Sequence, residues 1–370
     1  MLSKKVLVII THYLVLAVIL KILGFILPGT IVAYYEYAAK LLLFFMLAAF
    51  TFEFAKRRYL QDKVEPINKA VLITGCDSGF GHHLVKRLYS RGFQVFACCL
   101  FPYGEGAVEL TKSCSDRLHV LGLDVTDDDS VKEAVTYVKQ NLGNSDFWAI
   151  VNNAGVYRGN NVELSSMEDY KYTMEVNAFG LARVTKAFLP LLRQFKGRVV
   201  NLTSLAGKLA GPHIAPYTMS KHAAKAFSEC LALEMGTWGI KVISVEPEFF
   251  RTAMTNSKAI RAHLKRTFQD LNPHLKKEYG DDYLDTVRKR VESVFENSSP
   301  KMDIVLDDLE SAVSLKNPYS AYICYGNIIH AISLYAAERL PKSITDFLVE
   351  MYLTIAHGSL RRPHSLKKFL

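Results

Sequence analysis

Tyr217 and Lys221 are the pair in this chain best suited to moving a proton. Four residues apart, they share one face of a helix, where an ammonium stabilises a phenolate. Ser204 lies thirteen residues before Tyr217, at the end of the apolar run Arg198–Leu202. A hydroxyl, a phenol and an ammonium converging on one point make an acid–base device for a carbonyl or an alcohol. The pair alone is weak evidence, because the chain has 19 Tyr and Tyr59–Lys63 repeats the spacing. The elements around each match must separate them.

Before Tyr217 the chain reads as a cofactor platform. Lys69–Thr74 (KAVLIT) predicts a short apolar strand, Gly75-Cys76-Asp77-Ser78-Gly79-Phe80-Gly81 a turn, and Leu84–Arg91 an amphipathic helix. Strand, glycine turn and helix form a dinucleotide-binding opening. Gly75, Gly79 and Gly81 let the backbone turn tightly and approach a pyrophosphate, whose charge the helix N-terminus stabilises. The next strand, Gly92–Cys98, follows on schedule. At its end, where an acid often holds the ribose hydroxyls, stand Cys99 and Leu100. No Arg or Lys at Ser78 or directly after the strand would hold a 2′-phosphate. An uncompensated phosphate against neutral walls is costly, so NAD is expected over NADP.

Further units follow in order. Leu118–Leu123 leads into Asp124-Val125, with a helix around Ser130–Leu142. Phe147–Val151 runs into Asn152-Asn153-Ala154-Gly155, and a long helix around Met167–Phe195 precedes the strand Arg198–Leu202. Ile240–Val245 ends in Glu246-Pro247. Alternation of this kind predicts an α/β fold, a Rossmann-like doubly wound parallel sheet covered on both faces. Ligands bind at the strand C-terminal ends, where Asn152–Gly155, Ser204 and Pro247–Thr252 all fall.

The chain has 370 residues, 50% of them hydrophobic, and a net charge of +9; its mean hydropathy of +0.10 is high for a soluble protein. The apolar excess lies at the N-terminus. Residues 6–27 are long enough to span a hydrocarbon core of about 30 Å, and Ile31–Phe54 is a second apolar stretch, with Glu36 and Lys40 spaced to pair. Lys4 and Lys5 precede the first, Lys56-Arg57-Arg58 follow the second, and the turn between them is uncharged. The positive-inside rule then puts both ends in the cytosol around a hairpin of two transmembrane helices, a single transmembrane helix being the alternative. A cleaved signal peptide is the rival reading, against which the second run and the lack of a small-residue cleavage site count. Basic clusters beside apolar helices suit anionic lipid headgroups, and no pattern suits nucleic acid. Six cysteines without CxxC spacing predict reduced thiols and no metal site.

Thr74-Gly75, Gly79-Phe80-Gly81, Asn152-Asn153-Ala154-Gly155, Asn177, Ser204 and Tyr217-x-x-x-Lys221 together resemble the short-chain dehydrogenase/reductase family, over about residues 68–255. ITGCDSGFGHHL, GFQVFACCL and FWAIVNNAGV resemble its branch of retinol, D-β-hydroxybutyrate and type 2 hydroxysteroid dehydrogenases. KEYGDDYLDTVRKRV, NPYSAY and ERLPKSITDF look most like the 17β-hydroxysteroid members. The resemblance implies Tyr217 as general acid/base for hydride exchange with NAD and Ser204 as a hydrogen-bond partner of the reacting oxygen. It implies Asn177 as holder of a water that relays protons through Lys221, Asp124 and Val125 against the adenine, and Asn152, Ala154 and Gly155 around the cofactor cleft. It also implies that Ser78 and Phe80 join the glycines in binding cofactor, and that Pro247 and Thr252 meet the nicotinamide end. An endoplasmic-reticulum membrane with a cytosolic catalytic domain is the expected location, a mitochondrial membrane the alternative, and a homodimer is compatible with the family. One residue departs from the pattern. Glu248 stands where the family carries glycine, which puts loop shape, cofactor affinity and direction of turnover in question.

The expected division is an anchor over 1–58, a catalytic domain over 68–255, a substrate flap and helical extension over 256–340, and a C-terminal amphipathic segment with a basic tail over 341–370. Phe249, Phe250, Met254, Leu205 and Tyr157 are candidates for an apolar wall. An anchor beside an apolar cleft favours lipophilic alcohols such as steroids or retinoids. The alternatives are a small-hydroxy-acid dehydrogenase, which would want a basic clamp, and a non-catalytic cofactor-binding protein.

Overall fold

A computed structural model describes residues 14–15, 17–19, 21–25, 29–59, 61–113, 116–252, 254, 257–296, 298–327, 340–341 and 343–348. The chain divides into two compact units, Met1–Asp62 and Lys63–Leu370. In the first, α1 (Gly29–Tyr59) is a helix of 31 residues. It exposes Leu42, Phe44, Phe45 and Met46, and Lys40 lies 3.7 Å from Glu36 as their spacing predicts. Among the described residues no helix is long and apolar enough to cross a membrane. The expected second span, Ile31–Phe54, is therefore not borne out by α1. Most of the first, 6–27, lies outside the described residues.

The second unit is built on seven parallel strands in the order β3-β2-β1-β4-β5-β6-β7. They are β1 (Lys69–Thr74), β2 (Gln94–Cys99), β3 (Leu118–Gly122), β4 (Asp146–Asn152), β5 (Arg198–Leu202), β6 (Lys241–Pro247) and β7 (Ala321–Cys324). The helices that follow them in sequence are α2 (Gly79–Arg91), α3 (Glu105–Ser113), α4 (Asp128–Asn141), α5 (Met167–Met174), α6 (Leu181–Phe195), α7 (Ala215–Met235) and α8 (Ser257–Asp270). After these come α9 (Pro273–Tyr279), α10 (Asp281–Glu296) and α11 (Asp303–Ser314).

Alternation along β1 sorts the core into two layers, because successive strand residues face opposite sides. Val71 and Ile73 pack with Leu84 and Leu88 of α2 and Val305 and Leu309 of α11. Ala70 and Leu72 pack with Val131 and Val138 of α4, Val184 and Phe188 of α6, and Leu231 of α7. A third apolar group, Leu164, Leu264, Leu284, Val287 and Val291, ties α8 and α10 to the loop before α5.

Two features depart from the expected layout. The long helix predicted over Met167–Phe195 is interrupted by a π-helical turn, Glu175–Gly180, that carries Asn177; such turns often mark functional positions. The sheet also takes its last strand and one covering helix from 303–324, within the stretch assigned to the flap. β7 pairs in register with β6, Glu246 opposite Ile323. Arg198, 1% exposed on β5, anchors α11 by donating to the carbonyls of Ala312 and Leu315 at 2.8 and 2.9 Å. Its guanidinium lies 4.3 Å from the Trp148 ring, and burial pushes its pKa down to about 10. The five described cysteines are free; burial raises the thiol pKa values of Cys76 and Cys98.

Candidate active site

The glycine turn after β1 is closed by the turn after β4. Thr74 Oγ1 accepts the backbone N–H groups of Asn153 and Ala154 at 3.0 and 2.9 Å. Asn153 Nδ2 donates to the carbonyls of Thr74 and Gly75 at 2.7 and 2.9 Å. Side chains have no room there. A Cβ at Gly75, whose φ is +68°, would lie 2.8 Å from Ala154 Cα, and one at Gly81 would lie 2.5 Å from both Asn153 Nδ2 and the Gly75 carbonyl oxygen. Gly79 has room, with Thr252 the nearest neighbour, 3.6 Å from where its Cβ would be. Thr252 therefore stands beside the glycine turn. Ser78 precedes α2 without a side-chain cap, so the first-turn N–H groups of that helix are open to an anion.

Several expected cofactor contacts have other employment. Asn152 is buried, its Nδ2 donating to Thr185 Oγ1 at 2.9 Å and Asn201 Oδ1 at 2.8 Å, and Asn201 continues to Ser228 at 2.8 Å. That network locks β4 and β5 to α6 and α7, so the Asn152 side chain supports the cleft from beneath rather than lining it. Phe80 packs edge-on against Phe250, ring centroids 6.4 Å apart, and Phe250 is 2% exposed; Phe250 is core, not wall. Asp124 turns the chain after β3, its Oδ1 accepting from the Thr126 N–H at 2.8 Å and hydroxyl at 2.7 Å. Val125 packs where a Cβ at Gly180 would stand, 2.7 Å from its Cγ2, which seats the π turn against the β3 end.

Ser204, Tyr217 and Lys221 converge. Ser204 Oγ, at the end of β5, donates to the Pro247 carbonyl at 3.2 Å and accepts from Ala206 N–H at 3.1 Å. Lys221 is 4% exposed; its Nζ donates to the Leu202 carbonyl at 2.9 Å and lies 5.7 Å from the Tyr217 ring centroid. Burial pushes the phenol of Tyr217 up to about 12, against a smaller opposing effect of the Ser204 hydrogen bond. Burial pushes Lys221 down to about 8. Both shifts favour the neutral form of a group removed from water. The rival match does not survive: α1 ends at Tyr59, while Lys63 bridges to Leu315 and pairs with Glu310 at 3.0 Å.

The Asn177 side chain is engaged within the chain. Its Oδ1 accepts from Val156 N–H at 2.8 Å, and its Nδ2 donates to the Val156 carbonyl and to Ser220 Oγ, each at 2.9 Å. Both side-chain donors are spent, so the amide fastens the segment after β4 to α7. Gly155 lies against it, 3.3 Å from Oδ1 to where a Cβ would be. Ser220 in turn donates to the Tyr217 carbonyl at 2.7 Å.

Sequence reasoning missed a buried ion cluster behind this constellation. Glu246, 0% exposed on β6, meets Lys208 at 2.8 Å and Lys225 at 3.1 Å. Lys208 follows Ser204 and Lys225 lies one turn beyond Lys221, so the three charges clamp the loop after β5, α7 and β6 together. The signal in sequence was faint: one Glu ending an apolar strand. Glu248 does not need the backbone freedom of glycine. Among the described residues the non-glycine positive φ values belong to Asn68, Lys196 and His213, so Glu248 has a backbone any residue adopts. Its N–H donates to Cys324 O at 3.1 Å and its carboxylate accepts from Gly326 N–H.

Tyr157 stacks obliquely on Tyr217, ring centroids 5.7 Å apart, and its hydroxyl donates to the His213 carbonyl at 3.2 Å. Met254 reaches Gly155, its Cε 3.6 Å from where a Cβ would be, and Leu205 is buried beside Ser204. A separate cleft of about 410 Å³ near Gln94, Arg117 and Asn141 opens at the N-terminal ends of the strands, away from the end where such sheets bind ligands.

The family profile described as short chain dehydrogenase matches residues 69–262. Mouse estradiol 17-beta-dehydrogenase 2 is 39% identical over 292 residues, 78% of this chain and 76% of its own length. Mouse mitochondrial D-beta-hydroxybutyrate dehydrogenase is 40% identical over 273 residues, 72% and 80% of the two chains. Human 17-beta-hydroxysteroid dehydrogenase type 2 is 41% identical over 305 residues, 81% and 78%. Among solved structures, a short chain dehydrogenase/reductase from Burkholderia phymatum in complex with NAD shares the fold, with a TM-score of 0.62 at 21% identity over 77% of this chain and 96% of that one.

Proposed function

The chain belongs to the short-chain dehydrogenase family, and from that premise we propose that it transfers a hydride between a nicotinamide dinucleotide, NAD before NADP, and a lipophilic alcohol or its carbonyl, of steroid or retinoid type. The observation that carries this reading is the convergence of Ser204, Tyr217 and Lys221 beside a turn where Gly75 and Gly81 exclude side chains. Cradle, uncapped helix N-terminus and Thr252 fit a dinucleotide. When bound, the nicotinamide ring supplies or accepts the hydride.

The chain's own residues handle the proton. At neutral pH Tyr217, near 12 without ligand, holds its proton and is ready to give it to a carbonyl oxygen. In the oxidative direction it must first lose that proton. Bringing the phenol from there to near 7 needs about 7 kcal/mol of phenolate stabilisation, against about 4 for a free tyrosine. Lys221, cationic below about 8, supplies part of it through opposite charge. Ser204, whose proton rests on the Pro247 carbonyl, turns it to the substrate oxygen. Asn177 positions α7 through Ser220; a relay water at this turn would bind main-chain carbonyls, since both amide donors are spent.

Relatives named for steroid and for hydroxybutyrate substrates are equally similar, at 39% and 40% identity, so the choice between them rests on the site. A carboxylate substrate wants an available cation. Lys208 and Lys225 serve Glu246, and the Arg158 guanidinium lies 3.6 Å over the Tyr172 ring. Tyr157, Leu205 and Met254 instead offer apolar surface. The exposed apolar side chains of α1 support attachment of residues 1–58 to a membrane, with the catalytic unit on the cytosolic side. The test is turnover of a panel of steroids, retinols and 3-hydroxybutyrate with NAD by protein purified in detergent. Steroid or retinol oxidation is expected to dominate. Preference for 3-hydroxybutyrate would move the assignment to a hydroxy-acid dehydrogenase, and cofactor binding without turnover of any member would leave a non-catalytic binding protein.

A further inference from the structure

The end of β2 lacks the acid that would hold a ribose, yet a carboxylate stands there. Asp77, from the glycine turn, reaches across to the β2 end and accepts two successive backbone N–H groups, Leu100 at Oδ2 (3.0 Å) and Phe101 at Oδ1 (2.8 Å). The β1 and β2 ends are adjacent, with Thr74 opposite Cys98, so the residue need only cross one strand spacing. Its charge is felt locally, since Asp77 helps raise the thiol pKa of Cys99, after burial. The two N–H bonds fix the carboxylate in place and use two of its roughly four lone-pair sites, leaving the others for donors from outside. Neither the glycine turn, 75–78, nor the stretch after β2, 100–104, contributes a lysine or arginine.

We infer that Asp77 sets the cofactor preference of this chain, accepting from the adenosine ribose hydroxyls and rejecting a 2′-phosphate by like charge. The inference rests on the dinucleotide reading above and adds the residue that discriminates. Hydroxyls donate and a carboxylate only accepts, so NAD gains hydrogen bonds at this point. A 2′-phosphate brings only acceptors and negative charge, and like-charge juxtaposition is costly where no cation intervenes. A purely structural Asp77, serving only to cap the turn after β2, would favour neither nucleotide.

The test is equilibrium binding of NADH and NADPH to the full chain in detergent, read by fluorescence of the bound reduced nicotinamide, with no turnover required. Wild-type protein should bind NADH at least about 100-fold more tightly than NADPH. Asp77→Asn, which keeps shape and one acceptor, should narrow the ratio about tenfold or more, chiefly by tightening NADPH. Leu100→Arg places a cation at an exposed side chain (45% exposed), leaves the backbone N–H that Asp77 accepts, and should also tighten NADPH. Equal affinity of wild-type protein for the two nucleotides would overturn this inference alone. So would variants in which both affinities fall together, leaving the ratio unmoved. Binding of neither nucleotide by wild-type protein would remove the dehydrogenase reading and this inference with it.

Discussion

Burial does opposite things to the two titratable groups of the candidate site, and both effects can be measured. Tyr217 is held protonated, near 12, and Lys221 is eased towards its neutral amine, near 8 against an ordinary 10.5. Lowering the lysine's pKa means the folded chain pays for a buried charge at neutral pH and is relieved as that charge is lost. Stability from this group is therefore complete above pH 10.5 and falls as pH drops through about 8. Tyr217 acts in the other sense, but only above its ordinary pKa of 10. The difference in unfolding free energy between wild type and Lys221→Met, followed by urea titration, should rise by about 2 kcal/mol from pH 8 to pH 10. A flat difference would mean that Lys221 is not desolvated. At this scale Tyr217, Lys221 and Ser204 were legible because a helix period and a strand end are local facts. Asp77 and Glu246 were not: their partners, Leu100 and Lys208 or Lys225, lie 21 to 38 residues away in sequence, and nothing local announces a contact of that kind.

At the scale of elements, the site depends on close approaches and on one buried charge. Gly81→Ala would push a methyl into the Asn153 side-chain amide and the Gly75 carbonyl, which are hydrogen-bonded to each other. NADH affinity measured by fluorescence should fall at least about tenfold while the fold persists, the strain being confined to the turn. Unchanged affinity would show that the turn does not carry cofactor. Glu246→Gln leaves Lys208 and Lys225 facing each other without an intervening charge. Losing one partner from a buried ion cluster costs about 3–5 kcal/mol, so the denaturation midpoint should drop well beyond the effect of a surface change. A surface-like effect of under about 0.5 kcal/mol would show the clamp to be idle. Strands β1 and β5 were legible to the residue, because continuous apolar runs bounded by turns are what a doubly covered parallel strand requires. The π turn at Glu175–Gly180 was not, since it keeps helical periodicity on both sides and inserts its extra residue where Asn177 meets Val156. β7 escaped because Ala321–Cys324 is four residues long and sits at the sheet edge, with one partner strand to mark it.

At the scale of the whole molecule, the dinucleotide fold is preceded by an N-terminal unit whose described apolar side chains are largely exposed. Attachment of 1–58 to lipid predicts that the full chain stays with membranes through alkaline carbonate washing, while a chain beginning at Gln61 is released in folded form. Release of the full chain would confine the membrane reading to loose association. The α/β architecture was legible from the alternation of elements, whereas the outer limit of the catalytic unit was not. α11 and β7 follow three charged helices, and only the anchoring of α11 by Arg198 and the pairing of β7 with β6 show that they complete the sheet. The central claim is that Tyr217 moves the substrate proton during hydride exchange. It is tested most directly by turnover of the best lipophilic alcohol with NAD, comparing wild type with Tyr217→Phe after checking that both bind NADH equally. A fall in turnover of at least about 1000-fold with cofactor affinity unchanged is the predicted result, and a Tyr217→Phe protein that keeps full turnover would contradict it.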